Sequence, residues 1–72
     1  MRGDFMSRTT SRYDKNGNEI FEGNRIEGKT MDGDTAIFIV RWSDYHGDFI
    51  GDCPDEIYDV SPSIFHQYEI ID

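Results

Sequence analysis

Apolar and polar residues alternate most regularly between Thr35 and Trp42, where Ala36, Phe38, Val40 and Trp42 interleave with Ile37, Ile39 and Arg41. Successive side chains of a strand point to opposite faces, and β-branched and aromatic residues suit a half-buried pleated surface. The pattern therefore predicts a strand over 35–42. Arg41 at the end of its row turns the Ile37/Ile39/Arg41 face toward water there, which leaves the Phe38/Val40/Trp42 face for the core.

Shorter apolar runs at Ile20-Phe21, Arg25-Ile26-Glu27, Phe49-Ile50 and Tyr68-Glu69-Ile70-Ile71-Asp72 read as further strands, divided by turn residues. Asn16-Gly17 is a strong hairpin signal, because both residues tolerate the positive φ of a type I′ turn. Gly23-Asn24 breaks the chain, Gly28 closes a short strand, and Met31-Asp32-Gly33-Asp34 forms a turn around Asp-Gly. Ser43 to Asp48 is a polar reversal. Asp52 to Glu56 is a loop, since Pro54 cannot donate to a central ladder. Ile57 to Ser61 reads as a strand, and Ser61 to His66 reads equally as one helical or 3₁₀ turn, with Ser61 as cap and Pro62 first. Residues 1–11 are polar and aperiodic, which predicts a flexible N-terminal tail before a single small β domain at 12–72. With no long amphipathic helical pattern, the short strands predict a mostly β fold: a small barrel or a curled antiparallel sheet, with at most a short helical turn near 61–66.

A chain of 72 residues makes one small domain, which buries only roughly 60 % of the surface its unfolded form exposes. Such domains often draw on disulfides, a metal or self-association. Cys53 is the single cysteine, so an internal disulfide is excluded, a reducing cytoplasm fits, and a homodimer stays open. The longest apolar run, Ala36 to Val40, is far short of the roughly 20 residues of a membrane helix. Met1 to Met6 lacks the apolar stretch of a signal peptide; Met6 serves equally well as a start, and Arg2-Gly3-Asp4 matches an integrin-binding tripeptide by chance.

Charge changes the picture more. The net charge is −8, and its distribution is uneven. Residues 1–31 nearly balance, with six bases against five acids, whereas residues 32–72 hold Arg41 alone against ten acids. Direct binding to nucleic acid is disfavoured, because that affinity comes largely from bases neutralising phosphates. An acidic field steers instead toward basic protein surfaces.

The stretch Asp14-Lys15-Asn16-Gly17-Asn18-Glu19-Ile20-Phe21-Glu22-Gly23-Asn24-Arg25-Ile26 resembles a hallmark of the YopX-like family of phage and prophage proteins. Val40-Arg41-Trp42 before an acidic turn, and the terminal Tyr68-Glu69-Ile70-Ile71, are similar to two further family strands; Asn24 stands where the family usually has Asp. The resemblance implies an SH3-like β-barrel and a phage setting inside a bacterial host cell. It implies no catalytic residue.

Asp14, Asn16 and Asn18 fit the first positions of a calcium loop, but Glu19 replaces the required glycine and Arg25 the final glutamate, so a hairpin turn accounts for the segment. His46, Cys53 and His66 match no metal-site spacing, and Cys53 with His66 makes no persuasive nucleophile pair. No cofactor, metal or catalytic group is expected. Trp42, Phe38, Phe21, Tyr68 and Phe65 lack the basic groove of a stacking platform and are expected in the core.

An acidic cluster remains: Asp44, Asp48, Asp52, Asp55, Glu56 and Asp59, interleaved with Tyr45, Phe49, Ile50 and Tyr58. Such a run often serves solubility alone. It also has the makings of a binding face, with aromatic and apolar anchors beside carboxylates that pair with arginines of a partner. The leading expectation is a non-enzymatic interaction protein that engages a basic surface of a host protein, such as a nucleic-acid-binding protein, by imitating nucleic acid as an inhibitor. The alternatives are a self-associating assembly protein of a phage and, more weakly, a metal-dependent enzyme.

Overall fold

The computed structural model describes residues 8–30, 32–53 and 59–71. Its strands are β1 (Thr9–Tyr13), β2 (Glu19–Phe21), β3 (Arg25–Lys29), β4 (Thr35–Ser43), β5 (Asp48–Asp52), β6 (Asp59–Val60) and β7 (Glu69–Ile70), with a 3₁₀ helix at Pro62–Gln67. β1 and β2 form a two-stranded sheet, and the others form a five-stranded sheet in the order β6-β5-β4-β3-β7. All pairings are antiparallel. The chain is thus a small, mostly β fold.

β4 is the central strand, and its alternation works as the sequence predicts. Phe38 and Val40 are fully buried and Trp42 is half-buried, while Ile37 and Arg41 face solvent. Ile20, Ile26, Phe49, Cys53, Val60, Phe65 and Tyr68 complete one core between the two sheets and the 3₁₀ helix. Among the expected core aromatics Phe21 is the exception, at 38 % exposure. Gly28 on β3 lets the Tyr68 ring approach the strand closely; a Cβ there would overlap three ring carbons. Tyr68 in turn meets Phe38 edge-on, with ring centroids 5.7 Å apart, the geometry aromatic quadrupoles favour.

The 3₁₀ helix starts as its capping residues dictate. Ser61 is extended, its side chain accepts from the Ser63 amide, and proline occupies the first turn. Pro62 has no N–H to leave unsatisfied, and its fixed φ suits a helix start.

Two local expectations are corrected. β1 begins at Thr9, inside the segment expected to be a loose tail; residues 1–7 lie outside the described part. The strand escaped a hydrophobic reading because its inward residue is Thr10, buried with its hydroxyl donating to the Ile20 carbonyl at 2.7 Å. A bulge between Thr9 and Arg12 shifts the register. It puts Ser11 at φ 60°, and the Thr9 and Thr10 hydroxyls accept from the Ser11 and Arg12 amides.

The β1–β2 hairpin forms at Asn16-Gly17 but not as a type I′ turn. Gly17 has φ 83°, and Asn16 is not among the residues at positive φ. The Gly17 amide donates to the Asp14 carbonyl at 3.0 Å and the Asp14 amide to the Asn18 carbonyl at 2.9 Å, the pattern of a longer loop closed by a left-handed glycine. The Asp14 side chain decides this. Its Oδ1 accepts from the Asn16 and Asn18 amides at 2.9 and 2.8 Å, and Oδ2 accepts from the Ile70 amide at 3.0 Å. The Lys15 amide adds a bond to the Tyr68 carbonyl at 2.8 Å. One buried carboxylate therefore shapes the hairpin and ties it to β7, the edge of the larger sheet. Burial pushes the Asp14 carboxyl up, but the amides of Ile70, Asn18 and Asn16 outweigh this and hold it below its ordinary value.

Candidate functional site

Strand periodicity and register determine which side chains share the outer face of the five-stranded sheet. Asp52 pairs with Ile39 on one side and Asp59 on the other, and Ile39 pairs with Arg25. One row across the sheet thus reads Arg25, Ile39, Asp52, Asp59. Next to it Ile50 pairs with Arg41, and Asp48 with Ser43. Glu27 faces Ile37 and Glu69.

The acidic cluster is divided by this geometry. Asp48, Asp52 and Asp59 come together on the outer face. Asp44 belongs to the β4–β5 turn and accepts from the Trp42 indole N–H at 2.8 Å, which draws it to the opposite side of the sheet. Asp55, Glu56 and Tyr58 lie outside the described residues. Tyr45 projects from the turn at 93 % exposure. Phe49 is corrected: it points inward, is 8 % exposed and packs edge-on against Trp42 at 5.1 Å. The strand parity that faces Asp48 and Ile50 outward must turn Phe49 into the core. Ile50 faces out yet is only 8 % exposed, because it lines a groove.

That groove has a volume of about 410 Å³ and is bounded by Arg12, His46, Asp48, Ile50, Asp59, Val60, Ser61, Pro62 and Ser63. Ile50, Val60 and Pro62 are its apolar lining. The Ser61 and Ser63 hydroxyls lie 3.0 Å apart, and the His46 ring is held by Ser43, with Nδ1 2.9 Å from its hydroxyl. β5, β6 and the start of the 3₁₀ helix supply most of the walls. Arg12 arrives from β1, delivered by the bulge.

Basic residues from the nearly neutral first half partly offset these acids. Arg12 Nη2 lies 3.9 Å from Asp48 Oδ2, and Lys15 Nζ 3.8 Å from Glu69 Oε1. Arg41 Nε lies 3.3 Å from Asp52 Oδ2 within the sheet. Half-exposed pairs of this kind contribute roughly 0–1 kcal/mol each. Arg8 is spent elsewhere: its guanidinium stands 5.1 Å from the Trp42 ring and 5.3 Å from Phe49, and it pairs with Glu22 at 3.2 Å. Among the described residues Asp59 has no basic partner, and it stands directly across the strands from Asp52.

Of the groove lining, the sequence singles out Asp48, Ile50 and Asp59 but gives no sign of Arg12, Ser61 and Ser63 as their neighbours. Ser61 carried a local signal, as a helix cap; Arg12 carried none, since its approach depends on a bulge between two strands. Among the described residues no three His, Cys, Asp or Glu side chains are placed to share a metal ion, and no helix is long and apolar enough to cross a membrane. No protein-family model, curated protein or solved structure matches the chain.

Proposed function

We propose that this protein is a non-enzymatic interaction module whose outer sheet face, centred on Asp48, Asp52 and Asp59, binds a basic surface of another protein. The observation that carries the reading is the Asp52–Asp59 cross-strand pair, in which two like charges stand side by side and Asp59 is unpaired among the described residues. Like charges directly opposite one another destabilise a sheet, and a cationic partner relieves that repulsion. Ile39, half-buried between the charged positions, gives the face some apolar area to bury. The adjacent Asp52 and Asp59, with Asp48 further along the same face of β5, are the carboxylates that would imitate phosphates. The resemblance of Asp14–Ile26 to YopX-like sequences supplies the setting: a phage protein acting on a nucleic-acid-binding host protein in the bacterial cytoplasm.

The test is a pull-down from bacterial lysate at low and high salt, run with the parent chain and with Asp48, Asp52 and Asp59 all replaced by Asn. Partners lost both in the triple variant and at high salt support the reading. Partners retained by the triple variant refute it. A second reading, self-association of an assembly protein, is favoured by Ile37 and Ile71, which are 40 % and 39 % exposed. A salt-insensitive oligomer in light scattering, abolished by Ile37→Lys, selects it.

A further inference from the structure

We infer that the groove beside β5 and the 3₁₀ helix receives one arginine side chain of the protein partner. This rests on the reading of the sheet face as a site for a basic protein, and it names the contact at its centre. A groove of about 410 Å³ lies toward the small end of ligand sites, roughly 300–1,000 Å³, so it suits a side chain or two rather than a larger element.

Charge selects a cation. The groove is bordered by Asp48 and Asp59 against Arg12, and Arg12 already leans toward Asp48 at 3.9 Å. Among the described residues nothing neutralises Asp59. An entering anion would meet two carboxylates, and an uncharged group would leave Asp59 as it is.

The number of acceptors favours arginine over lysine. Asp48, Asp59, Ser61 and Ser63 are oxygen-bearing residues of the groove lining, the two serine hydroxyls 3.0 Å apart. A guanidinium carries five N–H donors in a rigid plane, whereas an ammonium carries three and holds its water more strongly. Pro62, with the small exposed parts of Ile50 and Val60, offers apolar surface to the methylene stem, which long cationic side chains bury while the head stays hydrated or paired. Arg12 shows that a guanidinium reaches this rim from within the same chain.

The experiment titrates the full chain with N-acetyl-arginine amide and maps amide chemical shifts by NMR, with the lysine and citrulline analogues as comparisons. Saturable shifts at Asp48, Ile50 and Asp59 to Ser63 are expected, weaker with lysine and absent with uncharged citrulline. Asp59→Asn, at an exposed strand position, is expected to weaken arginine binding about tenfold, the loss of one charge-assisted contact. Asp34→Asn, in the β3–β4 turn, should leave it unchanged. Shifts spread evenly over the acidic residues, or equal affinity in Asp59→Asn, overturn the groove as the site. An arginine-rich peptide separates this inference from the reading beneath it. If the peptide binds Asp59→Asn as well as the parent but loses affinity for Asp52→Asn, the groove falls and the acidic face stands. If it binds none of them at low salt, both fall.

Discussion

Replacing Asp14 with Asn tests whether one buried carboxylate joins the N-terminal hairpin to the edge of the larger sheet. Asn keeps the side-chain volume and one carbonyl oxygen. If that oxygen stays on the Asn16 and Asn18 amides, the NH₂ group faces the Ile70 N–H, and a hydrogen bond becomes a donor–donor contact. The half-buried Ile70 amide then lacks its partner, at a cost of about 1–3 kcal/mol. Such a domain has a total stability of roughly 0.05–0.15 kcal/mol per residue, so this is a substantial share. Each kcal/mol lowers the melting temperature of a domain this size by about 4–8 °C.

The pH dependence identifies the mechanism. The Asp14 carboxyl lies below its ordinary value in the folded chain. Its contribution is therefore fully present above the unfolded-state pKa, near 3.9, and is lost as pH falls through the lower folded-state value. Acid pH also changes the large net charge of the chain, an effect that the parent and the variant share. The measured quantity is accordingly the stability of the parent minus that of Asp14→Asn, obtained from urea unfolding followed by Trp42 fluorescence between neutrality and about pH 2. The difference should be large at neutral pH and shrink toward acid, and hydrogen exchange should show the Ile70 amide deprotected in the variant. A difference that stays constant to the acid end, or unchanged Ile70 protection, refutes the reasoning.

Three other substitutions probe features that hold the site in place. Gly28→Ala drives a methyl into the Tyr68 ring and should cost about 1–3 kcal/mol as overpacking; an unchanged urea midpoint would show that the ring has room to move. Ser11→Val puts a β-branched residue at φ 60°, where such residues are outliers, and should lower the melting temperature, while Ser11→Gly sheds the left-handed penalty of about 1–2 kcal/mol that any Cβ carries and should be the more stable of the two. Arg12→Ala removes a half-exposed ion pair with Asp48 and should change stability by less than about 1 kcal/mol; a larger loss would mean that Arg12 supports the bulge itself.

Local chemistry along the chain determined the strands with clear alternation, the turns and the helix start. Thr35 to Trp42 sorts its side chains by parity alone, Asn16-Gly17 marks a hairpin, and Ser61-Pro62 caps and begins a helix whatever surrounds them. The excess of acid after Met31 was equally plain, and it pointed to Asp48 and Asp59, with Ile50 among the apolar residues between them. Strand parity, applied as strictly at Phe49 as at Phe38, would have removed Phe49 from the surface as well.

Contacts between residues distant in sequence decided the rest. β1 was hidden because Thr10 is a core residue only once its hydroxyl finds the Ile20 carbonyl. The hairpin turn took its form from Asp14, whose second oxygen is occupied by an amide 56 residues away. The acidic run lost Asp44 to an indole on the other side of the sheet, and gained Arg12 and two serine hydroxyls from segments that bear no mark of belonging to it. Sequence periodicity reports which way a side chain points; register, bulges and buried hydrogen bonds set what it meets there, and those depend on pairings that exist only when the whole chain is folded.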